Sequence, residues 1–139
     1  MAANKYRLKD GEKFRTVIAD IATATAIEAG DFVTLSSGLV IKAVTASAKI
    51  AWCPKGHAAN SGTTVEITVG NDFTLLGTMD VVFAQAYKGV SYDINNDGTQ
   101  TIDQGGTTYK VLTVQPGATS GTIGSASNVE VRIALPLDV

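Results

Sequence analysis

Cys53-Pro54-Lys55-Gly56-His57 is the one stretch of this chain in which a thiol and an imidazole lie close together. A thiol beside a base is the beginning of nucleophilic catalysis, and both side chains are also zinc ligands. Neither chemistry is completed. Zinc asks for about four ligands, and these are the only cysteine and the only histidine of the chain. A thiol and an imidazole four residues apart in a Pro-Gly loop are poorly set for proton transfer. The expectation is a buried small residue beside a loop histidine, so alkylating Cys53 should leave binding or assembly untouched.

A second motif is rich in oxygen. Asp93-Ile94-Asn95-Asn96-Asp97-Gly98 matches the first half of an EF-hand loop, which makes Asp93, Asn95 and Asp97 the candidate ligands for Ca²⁺. The bidentate glutamate of such a loop is replaced by Gln104, and the flanks read as strands rather than helices. The motif is therefore read as a polar hairpin tip, and neither a metal nor a cofactor is expected.

Other catalytic patterns are missing. A serine triad would need His57, and no G-x-S-x-G elbow occurs. Gly117, Gly121 and Gly124 fall in a loop with no helix behind it, so they make no phosphate cradle. Nothing points to the paired carboxylates of glycoside hydrolysis. Trp52, Phe73, Phe83, Tyr87, Tyr92 and Tyr109 are scattered without interleaved bases, a pattern of core residues rather than of a nucleic-acid platform. The chain is not expected to be an enzyme.

The elements that would hold these residues are strands. At 139 residues the chain suits one domain, and only 17% of it is charged against a usual ~25%. Thr, Val, Ala, Gly and Ser dominate, and 14 glycines against 3 prolines suit many tight turns. A net charge of −2 gives no electrostatic reason to seek nucleic acid. One cysteine excludes an internal disulfide. No signal-peptide pattern opens the chain, and no apolar run approaches the ~18 residues of a membrane span.

The charge is uneven. Residues 1–15 hold five bases (Lys5, Arg7, Lys9, Lys13 and Arg15) against two acids, which is +3 ahead of a body at −5. Residues 1–14 show neither alternation nor a helical stripe, so they read as an extended arm that is ordered only where something holds it. Deleting residues 1–13 should leave a folded protein, and residues 15–139 read as a single β domain.

Within that domain Ala29–Ala46 reads as a turn, a strand, a reversal at Ser36-Ser37-Gly38 and a partner strand. Arg15–Thr25 alternates imperfectly; a strand fits better than the short helix that its alanines allow. Ser47–Trp52 is a third strand, stopped by Pro54. Thr64–Val69 alternates strictly, and Phe73–Leu76 begins another strand. Met79–Tyr87, with Met79, Val82, Phe83 and Ala86 at i, i+3, i+4 and i+7, is the best helix candidate, although Val81–Phe83 also suits a strand. Val90–Ile94 and Gln100–Asp103 flank the Asp97-Gly98 turn. Thr107–Val114 is a further strand, 117–128 a loop, and Val129–Leu135 a last strand that should close the sheet. About eight short strands at this spacing predict a mainly β chain, a small antiparallel β-sandwich or barrel with at most one short helix.

Three stretches carry a resemblance: A-x-x-A-G-D-F-V-T-L-S-S-G-L-V-I-K-A at 26–43, G-V-S-Y-D-I-N-N-D-G at 89–98, and the closing V-E-V-R-I-A-L. Through them the body from about Thr16 to Leu135 resembles the head-decoration (cement) proteins of tailed bacteriophages. The resemblance implies a non-enzymatic protein, made in the host cytoplasm, that binds the major capsid protein on the outside of an assembled head. It also implies a homotrimer bridging neighbouring capsomers. It transfers no contact residues.

The residues fit that work separately. A neutral Thr/Ser/Ala-rich surface can pack without desolvating many unpartnered charges. A basic arm suits an acidic protein surface, which makes Lys5, Arg7, Lys9, Lys13 and Arg15 the capsid-contact candidates, and the apolar strands would form the trimer core. The alternative is another virion component, a tail or fibre-associated β domain that binds a receptor or glycan. Exposed aromatics on loop tips would favour it, and a buried Trp52 would count against it.

Overall fold

The computed structural model describes residues 6–96, 98–116 and 128–138. Among the described residues there are eleven strands and no α-helix. The strands form three antiparallel sheets that are open rather than closed into a barrel.

The middle sheet is the organising element. β3 (Asp31–Ser36) lies between β4 (Leu39–Lys42) and β5 (Ala51–Cys53). Ser37 and Gly38 both have positive φ (51° and 80°) with Ser36 opposite Leu39, the two-residue turn whose twist matches a hairpin. Because strand side chains alternate, β3 serves two cores at once. Phe32 pairs with Trp52, and both enter the larger core; Val33 pairs with Ala51, and both enter the smaller one.

On one side the middle sheet is covered by two strands, β2 (Thr16–Asp20) and β6 (Thr64–Thr68). Their inner residues, Val17, Ala19, Val65 and Ile67, pack with Val33, Val40 and Cys53. On the other side lies a six-stranded sheet. Its order is β1 (Arg7–Leu8), β7 (Leu75–Thr78), β11 (Asn128–Ile133), β10 (Leu112–Pro116), β8 (Ser91–Ile94) and β9 (Ile102–Asp103). Leu75, Tyr92, Ile94, Leu112, Val114, Val131 and Ile133 line its inner face against Phe32 and Trp52.

Three expectations change. Met79–Tyr87 is not a helix: Met79 bridges to Ile102, Asp80 N–H donates to the Ile102 carbonyl, and only Gln85–Tyr87 coils, as one 3-10 turn. Met79 and Phe83 are buried while Val82 and Ala86 are exposed, so the spaced apolar residues do not share a face. A nine-residue stretch is also too short to hold a helix without such a face. β11 does not close the sheet. It pairs with β7 on one side and β10 on the other, because Val129, Val131 and Ile133 are all core residues.

The third change is at the N-terminus. Residues 6–14 run extended, and the body itself holds them. Arg7–Leu8 pair with Leu76 and Leu75, Tyr6 is 1% exposed in the larger core, and Phe14 meets Trp52 edge to face at 5.3 Å. Removing residues 1–13 would strip the core of a large aromatic ring, so the idea of a dispensable arm does not fit this packing. The loop expected at 117–128 lies outside the described residues except for Asn128, which begins β11.

Candidate interaction surface

Of the residues suggested by motif chemistry, Cys53 is buried and His57, Asp93 and Asn95 are engaged in hydrogen bonds. Cys53 is fully buried, and burial raises its thiol above the ordinary value of 9.0, against backbone N–H groups of Gly56 and Lys55 that lower it; the Asp31 and Glu66 charges raise it further. Such a thiol remains protonated and inert near neutral pH. Both ring nitrogens of His57 face carbonyl oxygens, Nδ1 that of Thr25 and Nε2 that of Gly62, each at 3.2 Å. Its backbone exchanges hydrogen bonds with Ile27, so it ties the 21–29 loop to the 54–62 loop. Gly56 lies so close to that loop that a Cβ there would come within 2.7 Å of the Ile27 carbonyl oxygen.

Asp93 points away from the hairpin tip. Its carboxylate accepts the backbone N–H groups of Tyr109 and Lys110 at 2.7 Å and of Thr108 at 3.3 Å. Asn95 donates through Nδ2 to the Thr101 carbonyl and hydroxyl oxygens and to the Asp80 carboxylate. Asp97 lies outside the described residues. Asp93 and Asn95 are thus joined to different partners rather than to one shared centre, and no group of three ligating side chains occurs among the described residues.

Gln100 carries a role that no motif announced. It is 1% exposed and adopts positive φ, 57°. Its Oε1 accepts the Phe32 N–H at 2.8 Å, while Nε2 donates to the carbonyls of Phe32 and Ala43. The side-chain amide behaves as an extra peptide group inserted beside β3, and it joins the 95–101 loop to the middle sheet.

Among the described residues, the outer face of the six-stranded sheet carries the exposed side chains Arg7, Gln115 and Arg132. The strand register arranges its side chains in two rows. One row runs Arg7, Leu76, Glu130 and Gln115. The next runs Lys9, Thr74, Arg132, Thr113 and Ser91. A hollow of about 500 Å³ opens between them. Thr74 is its hub. The Thr74 N–H donates to the Glu12 carboxylate at 2.8 Å, its carbonyl accepts the Lys9 N–H, and its hydroxyl accepts Arg132 Nε–H at 3.1 Å.

The basic candidates divide over this surface. Lys9 is in the hollow, paired with Glu130 at 3.1 Å. Arg7 shares a row with Glu130 and is exposed. Lys13 and Arg15 line an adjoining hollow with Phe14, Asp72 and Phe73, and Asn71 belongs to both. Lys5 lies outside the described residues. Arg132, absent from the sequence-derived set, is the cation at the centre. Its exposure follows from alternation with Val131 and Ile133, but its neighbours follow only from the register.

The apolar strand faces, expected to form a trimer core, are enclosed within the chain. Among the described residues, the large apolar side chains still exposed are Ile18, Leu39, Val44, Val81, Val82, Val90 and Leu135, with three of the seven in the 81–90 segment. Trp52 is buried, its indole N–H bonded to the Gly30 carbonyl. Among the described residues no helix is long and apolar enough to cross a membrane. No family model, no curated protein and no solved structure matches the chain.

Proposed function

We propose that this chain is a capsid decoration protein: it binds the outer surface of an assembled tailed-phage head and stabilises it by bridging neighbouring subunits of the major capsid protein. The observation that carries this reading is the polar sheet face, where Lys9 from the basic N-terminal segment stands in the row of Arg132 and Arg7 stands in the neighbouring row with Glu130. A polar sheet face whose cations are held by hydrogen bonds and only partly paired suits a protein surface. The sequence resemblance points the same way.

In this reading the protein performs no bond-making. Its thiol is buried and its imidazole is bracketed by carbonyls, so neither is disposed toward a substrate. The copies associate as a homotrimer, as the resemblance implies, with Val81, Val82 and Val90 among the exposed apolar side chains that could make the contact. Many copies on one shell make a modest single contact effective through avidity. The rival reading, a receptor- or glycan-binding virion domain, is disfavoured by the aromatics: the described tryptophan and phenylalanines pack into or against the core.

The test is sedimentation with assembled heads and, separately, with free capsid subunits. The protein should travel with heads and not with subunits. Equal binding to both, or to neither, would refute decoration.

A further inference from the structure

We propose that Arg132 is the docking point for a carboxylate side chain of the capsid subunit. The inference rests on the decoration reading and names the chemistry at its centre. The hollow around Arg132 is lined by Lys9, Glu12, Thr74, Gln115 and Glu130 among others. Its other charged groups are already engaged: Glu12 accepts the Thr74 N–H, and Glu130 accepts Lys9. The Ser91 and Thr113 hydroxyls bond to each other at 2.7 Å.

Arg132 differs from these. Among the described residues Nε–H donates to the Thr74 hydroxyl, and no carboxylate pairs with the guanidinium. Both Nη groups remain without an acceptor there, four N–H donors in one plane. That fork matches the two oxygens of a carboxylate. The Nε bond holds it in orientation beforehand, which lowers the entropy lost on docking.

The surroundings select the ligand. Glu12 and Glu130 flank the cation. A nucleic-acid backbone, which repeats its charge every few ångströms, would meet both of them. A single carboxylate on the Nη edge of Arg132 avoids that repeated repulsion, and Glu130 beside it is already paired with Lys9. An acidic side chain on a protein surface therefore fits, and a polyanion does not.

Binding isotherms on assembled heads of the source phage, measured by co-sedimentation, test this. The unaltered protein is compared with Arg132→Glu, Arg132→Lys and a control outside the hollow, Lys55→Glu. Arg132→Glu should weaken binding by about tenfold or more, Arg132→Lys should fall between, and Lys55→Glu should stay within about twofold, all with unchanged urea midpoints. If Arg132→Glu binds like the unaltered protein, the inference fails while decoration stands. Equal losses in Arg132→Glu and Lys55→Glu also overturn it, because they report general charge rather than a site. If Arg132→Glu loses binding to a sialylated glycan array but not to heads, the ligand is a glycan and the proposal is wrong. If the unaltered protein does not bind heads, both readings fall.

Discussion

The Tyr6 hydroxyl donates a 2.6 Å hydrogen bond to the backbone carbonyl of Gln100, ninety-four residues away, and both residues are buried. The Tyr6 ring lies 4.3 Å from that of Phe32, while the Gln100 side chain bonds both the N–H and the carbonyl of Phe32. The N-terminal segment and the 95–101 loop therefore converge on one residue of the central strand. The cations of the segment are presented from a fixed backbone as a result.

Tyr6→Phe leaves the Gln100 carbonyl buried without its donor, at an expected cost of about 1–3 kcal/mol. Tyr6→Ala, which also opens a cavity, should cost about 3–5 kcal/mol. Gly77→Ala should destabilise through the same ring, since a Cβ there would run into Tyr6. Urea midpoints of the single variants and of Tyr6→Ala/Gly77→Ala check this. The double variant should be little worse than Tyr6→Ala, because the clash leaves with the ring.

Gln100→Ala removes three buried hydrogen bonds, and the expected loss is about 2–4 kcal/mol. Gln100→Glu is the sharper probe. It turns an oxygen toward the Phe32 and Ala43 carbonyls where a donor stood. At pH 7 it should be less stable than Gln100→Ala, and it should recover on acidification as the carboxyl gains a proton to donate. Equal stability of the two variants at both pH values would contradict the assigned geometry.

Cys53 gives a stability change at alkaline pH. Burial raises its thiol above 9.0, so the folded chain holds the proton longer than the unfolded chain. The contribution is fully present below the unfolded value and is lost as pH climbs through the folded one. Stability should fall more steeply above pH 9 than in Cys53→Ala. Iodoacetamide at pH 8 should label native Cys53 slowly and urea-unfolded Cys53 quickly.

Asp93 organises the 106–110 loop rather than the 95–98 turn. Asp93→Ala strands three backbone N–H groups and should cost about 2–4 kcal/mol. Millimolar Ca²⁺ should leave the melting temperature of the unaltered chain unchanged. Binding to the native state alone would raise it.

Asp31–Ser36, buried on both faces, was readable from its β-favouring residues between turn signals, whereas Thr16–Asp20 and Thr64–Thr68 were readable because one buried face imposes a period of two. The same rule located Val129, Val131 and Ile133 inward, yet could not say that β11 has neighbours on both sides, since pairing is non-local. Met79–Tyr87 misled because burial of Met79 and Phe83 by separate contacts imitates a helical stripe. Gln100 left no local trace: a lone glutamine after a turn looks exposed until the strand it serves is in position. The candidate surface was half readable. The basic excess of residues 1–15 was plain, whereas its meeting with Arg132 depends on β1, β7 and β11 lying side by side.

Heating assembled heads with and without saturating protein tests the central claim most directly. A protein that fastens neighbouring subunits should raise the temperature at which heads rupture, in proportion to occupancy up to a plateau. Heads that carry a full complement of the protein and still rupture at the undecorated temperature would contradict that account.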